Sequence, residues 1–433
     1  MNRVAYVALF VVILAIAFGL GYLAHRNEWL PLELRDALRA RIAPGQPVSA
    51  RPFKGDAFPL QDRTRNIDAE TASTLNAMGY AAGTQPATSQ HGVTIHDSSA
   101  ASNGLNLYTS GHAPEAVLMD MDGVTLHTWR CPLNVAIPGY TPPAHVRDAA
   151  RESWRRARLL PDGSLLVVFE GMALVKLGKD SHVLWSYTRG CHHDVELTPE
   201  GNVLVLTSEE RGDILDNGIA LLDPDGVEIK HVSLLDCLNA SPYASLAQWL
   251  PARGDVLHAN TLNWLDGAHA NANPAFARGN LLISILELNT IAVVDIERQT
   301  LPWALTGITK AQHEPTLLPN GNLIVFDNRG AGEQSRVLEI EPNTQSTVWS
   351  HPGDVGAPFY SEWCGSVQRL ENGNTLITET DNGRAFEVTP DHRIVWEFVN
   401  PNQFDEAGVR MVAALFELVR LDSRPIYNWL AQK

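Results

Sequence analysis

The stretch "LTPEGNVLVLT", residues 197–207, decides the fold. A polar turn containing Gly201 feeds a run of apolar, largely β-branched residues, too short for a helix and right for a strand. The plan returns as LLPDGSLLVVF (159–169), FARGNLLISIL (276–286), LLPNGNLIVFD (317–327) and RLENGNTLITE (369–379). About ten residues beyond each run, a second strand leads to a second turn. Those turns are DMDGVTLHTW (120–129), KLGKDSHVLW (176–185), DPDGVEIKHV (223–232), IERQTLPW (296–303), EPNTQSTVW (341–349) and TPDHRIVW (389–396). Five of the six end in tryptophan: Trp129, Trp185, Trp303, Trp349 and Trp396. A unit of four short strands recurring about every 40–50 residues marks a β-propeller. Each small sheet is apolar on both faces, so the sheets stack into a ring. The expected fold is all-β: a six-bladed β-propeller head over residues 91–403, with blades near 92–140, 150–189, 190–235, 256–306, 311–352 and 360–400. The tryptophans read as packing between blades, and the Asp/Asn/Gly clusters as β-turns.

The flanks read differently. Residues 4–24 carry no charge and would make a helix of about 30 Å, enough to span a bilayer. A cut after Ala24 would put the bulky Tyr22 at position −3, so residues 1–26 read as an uncleaved N-terminal transmembrane helix, a signal-anchor. Residues 27–90 read as a juxtamembrane helix (31–42) followed by a linker rich in Pro, Ala, Thr and Gly. Residues 404–433 read as a short C-terminal helical tail. Arg26, Arg35, Arg39 and Arg41 follow the span and only Arg3 precedes it, a count that would leave the head in the cytoplasm. The bulk of the chain reads as an exported head, and a periplasmic location is expected.

A net charge of −16 over 433 residues, with no basic stripe, argues against a nucleic-acid partner. The four cysteines, Cys131, Cys191, Cys237 and Cys364, form no CxxC motif. They point to no metal site, although an oxidising compartment would permit a disulfide. No cofactor is expected.

A propeller brings the start of each innermost strand to the mouth of the central channel. The residues at those starts are Arg156 and Arg158, then His192-His193-Asp194, His258-Ala259-Asn260, His313-Glu314 and Cys364-Gly365-Ser366. Three consecutive units therefore place a histidine in one register: His193, His258 and His313. Such a cluster can bind a metal, hold an anion as imidazolium, or carry a group covalently. Each histidine could instead pin its strand. His192 is expected to be the structural member of its pair, because adjacent strand residues face opposite ways. His112 reads as a turn residue. Asp194, Asn260 and Glu314 flank the trio as candidate orienting residues.

The segments LNLYTSGHAPEAVLMDMDGVTLHTW, HHDVELTPEGNVLVLT, LHANTLNWL, LISILELNTIAVVDIE, QHEPTLLPNGNLIVFDN and GSVQRLENGNTLITETDNGRAFEVTPDHRIVWEF together resemble the bacterial arylsulfate sulfotransferases. The resemblance covers about residues 92–400. It implies a six-bladed propeller that moves a sulfuryl group from an aryl sulfate to a phenol without a nucleotide donor. It also implies a ping-pong route through a sulfohistidine. By motif, QHEP makes His313 the residue that attacks sulfur, and HHD and LHAN make His193 and His258 the residues that hold the sulfuryl oxygens. One departure stands out. The family's arginine lies in a strand of form S-x-R-x-x-N-T, and here the stretch is ISILELNT, with Leu286 in its place. Leucine cannot pair with a sulfate. Arg253, Arg278 and Arg329 are candidates to reach the mouth instead. A non-catalytic, membrane-anchored binding module is the competing reading. A metal or quinone site on the axis ranks last.

Overall fold

The computed structural model describes residues 82–422 and 429–430, apart from 88, 147, 331–333, 354–355 and 407–408. The expected anchor and most of the linker lie outside the described residues. No described helix is long and apolar enough to cross a membrane.

The strands form antiparallel meanders of four. The second unit runs Arg156–Leu159, Leu165–Phe169, Met172–Leu177 and the first part of Val183–Leu197. That fifteen-residue strand continues into the third unit, with Val203–Arg211, Ile214–Leu222 and Glu228–Ser233, so the two units share one sheet. The fourth unit is Ala259–Trp264, Leu281–Ile285, Thr290–Asp295 and Thr300–Thr306. The fifth is His313–Leu317, Leu323–Asp327, Arg336–Glu341 and Ser346–His351. The sixth is Ser366–Arg369, Thr375–Glu379, Arg384–Val388 and Ile394–Val399. In the second, fourth, fifth and sixth units the second strand is buried at every position, as in Leu165–Phe169 and Leu281–Ile285, and in the third its first five residues are. Both faces pack on neighbouring units, which is why they read as continuous apolar runs rather than alternating ones. The result is an all-β, propeller-like fold.

The tryptophans tie successive units together. Trp129 Nε1 donates to the Gly163 carbonyl (3.2 Å), Trp185 to Pro224 (3.1 Å), and Trp349 to Pro390 (2.9 Å). Each acceptor lies in a turn of the next unit. Trp396 donates to Met121 at 2.9 Å, joining the sixth unit to the first. Trp129 and Trp396 are fully buried, whereas Trp185, Trp303 and Trp349 are half-buried. The series is therefore partly core and partly hydrogen-bonded rim.

The first unit corrects the expected helical tail. Its strands are Leu105–Ser110, Glu115–Met119 and Thr125–Arg130, and its innermost strand is Leu415–Leu421, which pairs antiparallel with Leu105–Ser110. Residues 404–421 carry apolar side chains at spacings that suit a helix. Yet Leu415 through Leu418 are all buried, which one face of a surface helix would not achieve. The deciding contact is a ladder partner about 300 residues away in sequence, invisible to any local pattern. Gln403–Glu406 and Val409–Ala413 are strands too, in a small sheet with Ala82–Pro86. Gly92–His96, expected to open the first blade, instead lies beside Ile394–Val399 at the edge of the sixth. All four cysteines are free and buried.

Ending the chain after Asn402 removes the innermost strand of the first unit and exposes the edge of Leu105–Ser110. The shortened protein is expected to lose its cooperative thermal transition by circular dichroism. A native-like transition would show that the C-terminal strand is not part of the folded unit.

Candidate active site

The innermost strands of four units meet at one side chain. The buried Arg156 guanidinium contacts Asp194 (3.1 Å) from the third unit, Glu314 (2.6 Å) from the fifth, and Glu417 from the first. Arg158 adds longer contacts to Asp194 (3.5 Å) and Glu417 (3.4 Å). Three carboxylates thus share two guanidiniums. Burial pushes Asp194 up to about 7 against the pull of Arg156 and Arg158, with Glu314 adding to the rise. The flanking acids do not orient imidazoles, as Asp194 and Glu314 were expected to do. Asp194 also accepts from the Leu262 amide (2.9 Å), and Glu314 pairs with Arg156. Asn260 donates to the Gln312 carbonyl (3.0 Å), fixing the backbone that enters His313.

The histidines sit where the innermost strands are irregular. Register shifts interrupt the ladders between His192 and Val195, between Ala259 and Thr261, and between His313 and Thr316. His193, His258 and Glu314 adopt positive φ values of 54°, 48° and 52°. Bulges of this kind re-aim side chains, and positive φ is uncommon for residues other than glycine. Here they bring all three aligned histidines into buried positions. The His193 and His258 rings stand edge to face with centroids 4.9 Å apart.

Each ring has a different partner. Asn328 donates both amide hydrogens, to the carbonyls of Ser361 (2.8 Å) and Cys364 (2.9 Å). Its oxygen therefore faces His313 Nδ1 at 2.9 Å, and that nitrogen must carry the hydrogen. His313 Nε2 is then unprotonated, and it is buried with no hydrogen-bond partner. Burial and the charge of Arg155 hold the His313 imidazole well below its ordinary pKa. His193 is tied through its neighbours. His192 Nε2 faces the Thr207 carbonyl (3.0 Å), so His192 Nδ1 accepts from His193 Nδ1 at 2.9 Å. Glu170 lies 3.0 Å from the same nitrogen and accepts from the His193 amide (2.9 Å). Burial and the neighbouring His258 keep His193 neutral. His258 is the exception. Burial pulls it down, but Asp255, 2.9 Å from Nδ1, outweighs burial and raises it. Two of the imidazoles are thus pushed toward the neutral form and the third toward the protonated one.

His192 has the structural role expected of it. His112 is the turn residue expected, bridging Ser110 (2.6 Å) and Glu115 (2.7 Å). Glu170, Asp255 and Asn328 were missed. Asp255 lies three residues before His258, a spacing open to notice. Glu170 and Asn328 reach the cluster from strand ends whose sequence carries no signal. Among the described residues, Glu170, His192 and His193 also place three potential ligand atoms within 4.8 Å of one another. Those atoms already satisfy one another as hydrogen-bond partners.

A cavity of about 280 Å³ opens beside His258. Leu286, Glu287, Arg253, Lys310, Ala311, Arg329 and Trp363 contribute to its wall. The Arg329 guanidinium stacks 4.3 Å over Trp363 and pairs with Glu362 at 2.8 Å. Leu286 and Glu287 lie in the turn beyond Leu281–Ile285, so strand alternation does not separate them, and both line the cavity. Arg278 is elsewhere, paired with Glu200 at 2.9 Å. It borders a cleft of about 780 Å³ that contains none of the aligned histidines.

The family model described as Arylsulfotransferase (ASST) matches residues 156–401, more than half of the chain. The chain belongs to the arylsulfotransferase family. The matched segment of this arylsulfotransferase-family chain contains all three aligned histidines and, of the ionic tie, Arg156, Asp194 and Glu314, with Glu417 beyond it. No curated protein matches it. Similar solved structures include a Bacteroides caccae protein of unknown function, 12% identical, covering 72% of this chain and 98% of its own (TM-score 0.46). A streptogramin B lyase is 14% identical and covers 79% and 97% (TM-score 0.43). A virginiamycin B lyase from Staphylococcus aureus is 12% identical and covers 73% and 88% (TM-score 0.40).

Nitrogen-15 NMR of histidine-labelled protein at neutral pH is expected to find Nδ1 of His313 protonated and Nε2 bare. Asn328→Asp leaves an acceptor at that place but adds a negative charge, and is expected to raise the pH at which His313 protonates. An Nε2–H tautomer in the unaltered protein would contradict the assignment.

Proposed function

We propose that the protein transfers a sulfuryl group from an aryl sulfate to a phenolic acceptor through a sulfohistidine at His313. The observation that carries this reading is the unprotonated, unpartnered Nε2 of His313, held in that tautomer by Asn328. A buried neutral imidazole whose lone pair meets no donor is an activated nucleophile. In the first half-reaction, the Nε2 lone pair forms a bond to sulfur as the bond from sulfur to the phenolic oxygen breaks. The electron pair leaves on that oxygen, and His258, kept protonated by Asp255, supplies the proton. The products are a free phenol and a sulfated His313. In the second half-reaction, an acceptor phenol attacks sulfur, its proton returns to His258, and His313 is regenerated.

His193 takes part as an oxygen-binding residue in this reading. Its Nδ1–H is engaged by His192 and Glu170. It can therefore donate to a sulfuryl oxygen only by taking up a proton at Nε2, which a bound anion favours. The cavity of about 280 Å³ suits a single-ring aryl group, and Trp363 offers an aromatic wall. The six meanders act as six blades closed around this site. An N-terminal anchor at residues 1–26 and a periplasmic head complete the proposal. The competing binding-module reading draws on Leu286, which removes the family's cation from its usual strand.

The test is release of phenol from an aryl sulfate in the presence of a phenolic acceptor. His313→Ala is expected to abolish release, and mass spectrometry of the donor-treated protein should find an acid-labile sulfuryl adduct on the His313 peptide. No release by the folded protein would favour the binding module.

The pH profile supplies a further check. A His313 pKa held below 6.5 keeps the nucleophile free on the acid side of neutrality, and a His258 pKa raised above 6.5 keeps the acid loaded there. With a poorly acidic leaving phenol, the rate should hold through pH 6.5 and fall on the alkaline side. His258→Gln should remove that alkaline limb. A rate that rises with pH would assign the limbs the other way.

A further inference from the structure

Arg155 directly precedes the innermost strand of the second unit, and its amide donates to the Val168 carbonyl (2.9 Å). Its neighbour Arg156 is engaged with three carboxylates. Arg155 is engaged with none. Its side chain is buried, at 5% exposure for the residue, and Nε has no hydrogen-bond partner. Among the described residues, no carboxylate lies within ion-pair distance of it, and its guanidinium lies 5.5 Å from the Phe416 ring. Burying an unpaired guanidinium is costly, so such a group is expected where an anion arrives to meet it.

Position agrees with that expectation. Burial and the charge of Arg155 together hold the His193 and His313 imidazoles below their ordinary pKa. That charge acts also on Glu170, but burial still raises that carboxyl, which is already engaged with His193. Geometry brings its segment to the histidines: Arg155 is bonded to Val168, Glu170 two residues further on accepts from the His193 amide, and the adjacent Arg156 Nε donates to the His193 carbonyl at 3.4 Å.

We infer that Arg155 is the cation that holds the sulfuryl oxygens in this protein, supplied from the second unit in place of the arginine that Leu286 displaces in the fourth. The inference rests on the sulfuryl-transfer reading. As the bond from sulfur to the phenolic oxygen breaks and the bond to His313 Nε2 forms, negative charge rests on the three remaining oxygens. A planar guanidinium can donate to two of them at once. Arg253 and Arg329 at the mouth are less suited, since Arg329 is already paired with Glu362 and stacked on Trp363.

The experiment compares the unaltered protein with Arg155→Met and Arg155→Lys. Two quantities are read: the rise in melting temperature caused by sodium sulfate over sodium chloride at equal ionic strength, and kcat/KM for an aryl sulfate. Sulfate is expected to stabilise the unaltered protein and not Arg155→Met. Arg155→Met should lose about a hundredfold or more in kcat/KM, the scale of one lost oxyanion donor, with Arg155→Lys in between. If Arg155→Met does not fold, Arg155→Ala assayed with and without millimolar guanidinium replaces it, and recovery with the added cation is the expected result. Sulfate stabilisation retained in Arg155→Met, with kcat/KM within about threefold of the parent, would overturn the inference. So would a parent protein that sulfate does not stabilise, or an Arg155→Ala variant that guanidinium leaves unchanged. A parent that is stabilised by sulfate through Arg155 but releases no phenol would sink the transferase reading and leave the anion site standing. Leu286→Arg in the Arg155→Met background is expected to restore part of the activity from the fourth unit.

Discussion

The contact on which this molecule depends is the one Arg156 makes with Asp194, Glu314 and Glu417. Each partner comes from a different unit. A propeller leaves the starts of its innermost strands close together around an axis, where little apolar material fills the gap. Here the gap is filled by charge. Removing the arginine would leave the buried Asp194 and Glu417 and the half-buried Glu314 around the longer contacts of Arg158, and a buried charge without a partner is among the costlier defects a protein can carry. The same contact sets how the strand starts lie relative to one another, and so where the imidazoles are held.

The innermost strands share a simple division of labour. Arg155 and Arg156, His193 and Asp194, His313 and Glu314, and Phe416 and Glu417 are adjacent pairs in the sequence. The first member of each lies at the histidine cluster or beside it, and the second belongs to the ionic tie. Adjacent strand residues face opposite ways, so one short segment serves both purposes. The bulges at His193, His258 and Glu314 adjust this alternation locally. The cluster therefore inherits its rigidity from the tie beside it, without relying on a loop.

Much of this was legible in the sequence. The repeated Gly-turn and strand gave the propeller-like fold, because each unit is specified by its own local pattern. The register of His193, His258 and His313 was legible for the same reason. What stayed hidden depends on contacts between distant segments. Leu415–Leu421 reads as a helix until its partner, Leu105–Ser110, is known. Asp194 and Glu314 look like companions of histidines until Arg156 is seen to claim them. Asn328 fixes the tautomer of His313 from the end of an ordinary strand. Arg155 is hidden inside the run WRRAR, where nothing local distinguishes the paired arginines from the unpaired one.

The C-terminal strand also ties the chemistry to the order of events in folding. Arg420 donates to Asn106 across 314 residues of intervening chain, and Glu417 and Phe416 lie on the same strand as Arg420. Closing so long a loop is entropically costly and belongs to the late, slow part of folding. A nascent chain can build most of its meanders without this strand, but it cannot complete the ionic tie or the wall under Arg155. Glu417 and Phe416 reach Arg156 and Arg155 only when the last strand docks. An incomplete chain is thereby left with Arg156 short of one of its three carboxylates and Arg155 without its aromatic neighbour.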